Sequence, residues 1–158
     1  VLEHVLLKVS ALNDFYSTNI FDTYTVAKHI QRANIDNRLR IGDLSLVNEL
    51  AQITIRDKPK NFYSFATKYC NHHYPDNFPI YDYYVEKMLT HYGKVDAFSA
   101  FHKTDLKCYD KFVKTIREFS RHYKLEQFSL REIDIFLWLA GRESFPRNYK
   151  RGAQPNFI

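Results

Sequence analysis

Apolar residues recur along this chain at intervals of three and four, the beat of amphipathic α-helices. Val1, Leu2, Val5, Leu6 and Val9 form a first stripe. Tyr24, Ala27 and Ile30 form a second, behind Asp22 as an N-cap. A third runs through Leu44, Val47, Leu50 and Ile53, with Asp43 placed to cap it. Asn61 is placed to cap a fourth, which puts Phe62, Phe65, Ala66, Tyr69 and His73 on one face. Asp82 starts a fifth, through Val85, Met88, Leu89 and Tyr92, with Gly93 as its stop. From Thr104 a sixth stripe carries Leu106, Tyr109, Phe112, Val113, Ile116, Phe119 and Tyr123. Ser129-Leu130-Arg131-Glu132 has the form of a capping box. It opens a seventh helix with Ile133, Phe136, Leu137 and Ala140, closed by Gly141. No strand alternation stands out. The pattern predicts an all-α, compact single-domain bundle of about seven helices over residues 1–141, then a basic extended tail over 142–158.

Composition supports that picture and narrows the function classes. A chain of 158 residues is long enough for one real core. With 45% hydrophobic residues, 13 Phe and 12 Tyr, it is too apolar to be disordered. Only 4 Gly and 5 Pro leave little irregular chain. The chain opens on Val1, without Met and already in a helical pattern, which reads as a truncated or processed N-terminus. Two cysteines without a signal peptide do not make a disulfide framework, so an intracellular location is expected. No apolar run is long enough to span a bilayer, and no membrane partner is expected. A net charge of +5 suits an anionic partner.

Candidate chemistry concentrates between Phe62 and Leu89. Lys68 sits on the fourth helix and Asp82 at the mouth of the fifth, and the turn Pro75-Asp76-Asn77-Phe78-Pro79 folds the chain back between them. An amine beside a carboxylate is one way to build a Schiff-base nucleophile with an acidic partner. At about 100° per residue, Lys68 falls off the apolar stripe, alongside Ser64 and His72. It is therefore expected in a cleft or in solvent, not in the core. Asp82 is equally suited to plain helix capping, and the two roles are compatible. Cys70, His72 and His73 point in different directions and lack zinc spacings, so no metal site and no cofactor is predicted. The basic residues from Lys103 to Lys124 are broken by Asp110 and Glu118 and read as a solvated face. Lys58 and Lys60 precede the candidate helix, and Tyr63, Tyr74, Tyr81, Tyr83 and Tyr84 crowd the same region. Cations beside aromatic rings suit an unpaired or flipped base, although half-buried tyrosines of the core explain the crowding as well.

Phe65-Ala66-Thr67-Lys68, followed by Pro79-Ile80-Tyr81-Asp82 and Val85, resembles the active-site region of helix-hairpin-helix 8-oxoguanine DNA glycosylases, most of all the short bacterial type. Ile133-Asp134-Ile135-Phe136-Leu137-Trp138-Leu139-Ala140-Gly141 is similar to their closing helix. The resemblance covers about half the chain. It implies a helix-hairpin-helix-like element, excision of a damaged or modified base, Lys68 as the nucleophile and Asp82 as its acidic partner. It further implies DNA contacts from the same region, for which Lys58, Lys60, Asn61, Ser64, His72 and Tyr81 are the candidates. Lys58-Pro59-Lys60-Asn61-Phe62-Tyr63-Ser64 holds no glycine where the family carries a Leu-Pro-Gly-x-Gly run, so backbone approach to a phosphate is harder. An inactive helical module that binds nucleic acid or protein is the alternative.

Overall fold

A computed structural model describes residues 1–146. The expected tail falls mostly outside them, and Arg142 belongs to the last helix. Among the described residues the fold is all-α with one small β-hairpin. Its elements are α1 (Leu2–Tyr16), α2 (Thr23–Arg32), α3 (Ile35–Arg40), α4 (Ser45–Ala51), β1 (Gln52–Ile55), β2 (Lys58–Asn61), α5 (Tyr63–His73), α6 (Tyr83–Val95), a 3-10 turn (Lys103–Lys107), α7 (Tyr109–His122) and α8 (Leu130–Ser144).

The local signals that hold are side-chain caps. Asp22 accepts the Thr25 N–H at 3.0 Å and starts α2. Ser129 and Glu132 close a reciprocal capping box at the start of α8, which satisfies two backbone N–H groups that a helix start leaves open. Tertiary packing does the rest. α1 lies on α2 and α5, α4 on α5 and α7, and α8 on α6 and α7. Leu106, Tyr109, Phe112, Val113 and Ile116 are fully buried between these layers.

Several expected boundaries move. α3 is an additional helix, too short to show a stripe. The third expected helix stops at Ala51, and Ile53 lies on β1. Its β-branched run Ile53-Thr54-Ile55 packs better on a strand than in a helix, although Ile53 alone fits the helical beat. β1 pairs antiparallel with β2, from Gln52 opposite Asn61 to Ile55 opposite Lys58. Arg56 and Asp57 make the two-residue turn, both in the left-handed region at φ 48° and 60°. That geometry matches the right-handed twist of the strands. The expected packing of the Leu44–Ile53 and Phe62–His73 helices is present between α4 and α5, and this hairpin is what connects them around Arg56–Lys60. Asn61 does not cap α5. Phe62 takes that position without a side-chain cap, and its N–H donates to the Ala51 carbonyl at 2.8 Å.

Gly93 and Gly141 do not end their helices. α6 runs on to Val95 and α8 to Ser144. Both glycines are there for space. A Cβ on Gly93 would meet the Phe101 ring at 3.0 Å, and one on Gly141 would lie 2.8 Å from both Cβ and the carbonyl oxygen of Tyr84. The sixth expected helix is divided at Cys108, whose extended backbone separates the 3-10 turn from α7.

Candidate active site

Lys68 lies near the middle of α5 and is 8% exposed, so of the two expected places, a cleft or solvent, it takes the cleft. α5 is buried nearly all round from Tyr63 to Asn71, and a helix enclosed on every side has no solvent face for a lysine to take. Tyr16, the last residue of α1, supplies the missing wall. The Lys68 Nζ sits 5.0 Å from the centroid of the Tyr16 ring, and the Tyr16 hydroxyl hydrogen-bonds His72 Nε2 at 3.2 Å. Lys68 also donates to the Ser64 hydroxyl at 2.8 Å. Burial pushes the Tyr16 hydroxyl above its ordinary range, with Arg131 opposing and Asp134 reinforcing the shift.

Lys68 and Asp82 line one pocket of about 370 Å³, within the usual size range of small-molecule clefts. Tyr16, Ser64, Tyr83 and Tyr84 form much of its remaining wall, and Asn61 and Phe62 bring the end of the β-hairpin to its rim. Asp82 caps α6 as expected, since its Oδ1 accepts the N–H groups of Tyr84 and Val85, each at 2.9 Å. The carboxylate is thus held at the positive end of a helix of 13 residues, where negative charge is favoured.

The segment that delivers Asp82 is irregular and buried, with side chains supplying its hydrogen bonds. The Phe78 carbonyl accepts from Asn71 at 2.8 Å, and the Pro79 carbonyl from the Tyr109 hydroxyl at 2.8 Å. The Ile80 N–H donates to Asp134 Oδ2 at 2.7 Å, and the Tyr81 N–H to Thr67 Oγ1 at 3.2 Å. Ser64 donates to the Tyr81 carbonyl at 3.2 Å. A buried backbone needs every such group paired, and here α5, α7 and α8 share the task.

The other expected DNA contacts divide. Asn61 and Ser64 reach the pocket, and His72 is linked to it through Tyr16. Lys58 and Lys60 are exposed on β2. The Tyr81 side chain is turned away. Its ring packs on Tyr63 and Phe112, its hydroxyl donates to Glu86, and Lys107 donates to that hydroxyl. Burial opposes ionisation of Glu86, but the Tyr81 hydroxyl and the ammonium groups of Lys103 and Lys107 outweigh it and hold the carboxyl below its ordinary range. Among the described residues no cluster of three or more His, Cys, Asp or Glu side chains converges to hold a metal.

Sequence reasoning missed Tyr16 and Asp134. Tyr16 carries no local signal, because α1 meets α5 only in three dimensions. Asp134 carries one, an acid inside the otherwise apolar run Ile133–Ala140. Burial pushes its carboxyl up to about 7, against the Ile80 N–H and Arg131, with Asp82 adding to the rise. An unfolded aspartate titrates near 3.9, so in between the folded chain holds a proton that the unfolded chain has released. The contribution of Asp134 to stability is therefore full below about pH 4 and falls as pH rises toward 7. Burial holds His72 and His73 low, which acts with the opposite sign, so the effect is isolated by a variant. Thermal melts of Asp134→Asn should lose that downward slope. A slope equal to that of the parent chain counts against it.

An amine and a capping carboxylate in one aromatic-walled pocket of an all-α domain describe a class of site. Residues 1–77, which include Tyr16 and Lys68, match the family model described as HI_0787_N, N-terminal domain. The chain is 51% identical over 148 residues to an uncharacterized protein of Haemophilus influenzae (strain ATCC 51907 / DSM 11121 / KW20 / Rd), an alignment covering 93% of this chain and 71% of the relative. It belongs to the family of that protein. No solved structure matches it. No described helix is long and apolar enough to cross a membrane.

Proposed function

We propose that this protein is a DNA glycosylase-like enzyme that excises a damaged or modified base with Lys68 as a Schiff-base nucleophile. The observation that carries the reading is the shared pocket of Lys68 and Asp82. Attack requires a neutral amine, so the ammonium must first lose a proton, and the Asp82 carboxylate is the acceptor that the pocket offers. The nitrogen then bonds to C1′ of the deoxyribose while the bond from C1′ to the base breaks, and the base leaves with the electron pair and takes up a proton. Sugar ring opening gives the imine, from which loss of the 3′ phosphate by β-elimination cuts the strand. When Asp82 hands that proton to the departing base its carboxylate is restored and stabilises positive charge developing at C1′. The aromatic wall offers faces on which an extruded base can stack. The reading places the protein inside the cell, associated with DNA. It is tested by incubating the protein with duplexes that carry single lesions, 8-oxoguanine first, in the presence of borohydride. A covalent adduct is expected, and its absence across the whole panel would end the catalytic reading.

Asp82→Asn should slow excision by about 10²-fold or more, because the amide neither takes the proton nor balances charge. It should leave stability within about 0.5 kcal/mol, since Asn caps helices as well as Asp. Single-turnover rates and melts check the two halves separately. An unchanged rate would remove Asp82 from the chemistry.

The β-hairpin favours the second reading, a module that binds nucleic acid without cutting it. Lys58 and Lys60 stand exposed on β2 beside the pocket rim, and no glycine run brings backbone amides to a phosphate. Both readings predict that replacing these two lysines together by alanine weakens binding to all sequences alike and flattens the salt dependence of the affinity by about 2 logarithmic units per decade. Electrophoretic shift assays at several salt concentrations measure that slope. An unaltered slope would place the phosphate contacts elsewhere.

A further inference from the structure

We infer that Asp134 is the positioning residue for Asp82, because through the Ile80 N–H it fixes the buried segment whose end presents the Asp82 carboxylate to Lys68. The inference rests on reading that pocket as the reactive site. Asp134 is 2% exposed and stands in the apolar face of α8, where a carboxylate contributes nothing to packing. Both of its oxygens are engaged, Oδ2 by the Ile80 N–H at 2.7 Å and Oδ1 by Arg131 at 2.8 Å. Ile80 is two residues from Asp82 in a stretch without helix or strand, so a rotation at Ile80 displaces Asp82 directly. The stretch has little freedom elsewhere. Pro79 has a locked φ, its carbonyl is held by Tyr109, and Tyr81 is tied at both its N–H and its carbonyl. Asp134 is the one carboxyl among these ties. Without an acceptor at position 134 the Ile80 N–H would be buried and unpaired, and the backbone would turn to satisfy it.

The charged and titratable groups that face Asp134 come from four elements. They are Arg131 on its own helix, Tyr16 from α1, Tyr109 from α7 and Asp82 from the segment itself. Burial pushes the carboxyl up to about 7, so the tie between α8 and Asp82 can be followed in solution.

The test is a pH titration of the ¹⁵N-labelled chain by NMR, read at the Ile80, Tyr84 and Val85 amides, the last two being donors to Asp82. A common midpoint near pH 7 is expected at all three. It should vanish from all three in Asp134→Asn. A merely structural acid would move Ile80 alone. Tyr84 and Val85 amides that show no such midpoint, or that keep it in Asp134→Asn, would overturn the inference. If the variant does not fold, the wild-type titration decides, since Ile80 moving without Tyr84 and Val85 is the same refutation. The measurement uses no DNA. Failure to trap an adduct would therefore end the glycosylase reading while leaving this result standing.

Discussion

Lys68→Gln is expected to reduce borohydride-trapped DNA adducts to background, a loss of about four orders of magnitude or more in the covalent step. A glutamine amide has no basic lone pair, so no imine can form. The fold should survive. Lys68 is buried against the Tyr16 ring and Ser64 rather than lying on a solvated face, so the change is not free. The glutamine side chain can still donate toward Ser64, and the buried charge goes with the substitution. A stability cost of about 1 kcal/mol is expected, readable as a shifted urea midpoint. Adducts that persist in this variant would show that another amine is the nucleophile.

Gly141→Ala should have the largest effect on stability. In an ordinary helix interior the change from Gly to Ala stabilises by about 1 kcal/mol. Here the sign reverses. The new methyl would lie 2.8 Å from the Tyr84 carbonyl oxygen and from its Cβ, and 3.1 Å from Met88 Cγ. The first is backbone and cannot swing aside as a flexible side chain would. Forcing a methyl into such a contact costs about 1–3 kcal/mol beyond what propensity returns, enough to lower Tm by several degrees. Calorimetry decides it, and a raised Tm would mean that α6 and α8 slide apart easily. Because Tyr84 also lines the Lys68 pocket, trapping should weaken together with stability in this variant.

The capping residues and the long stripes were legible from the residues because both are local. Asp22, Asp82 and Ser129 act on backbone within three positions of themselves. The part of the sixth stripe from Tyr109 to Phe119 is buried on one side of α7 as its period requires. The β-hairpin was illegible for the same kind of reason. Gln52 to Ile55 is only 4 residues long, and one of its two isoleucines continues the helical beat of α4. Its turn carries Arg56-Asp57 rather than a glycine pair, so the usual signal of left-handed backbone is missing. The glycines misled in turn. A glycine at a helix end and a glycine under a neighbouring helix look alike in sequence, and Gly93 and Gly141 are of the second kind.

By itself the sequence determined that the chain would be helical, where several of its helices begin, and that Lys68 and Asp82 belong to consecutive helices across a proline-rich turn. Periodicity and capping chemistry carry that much, because each depends on neighbours within a turn or two. Only the tertiary structure decided that the two side chains share a pocket, that Tyr16 closes it over the lysine, and that Asp134 holds the segment leading to the aspartate. The last two of these join residues more than fifty positions apart. They arise from packing α1 over α5 and α8 against the buried segment, and no local pattern records which partners a buried element will meet.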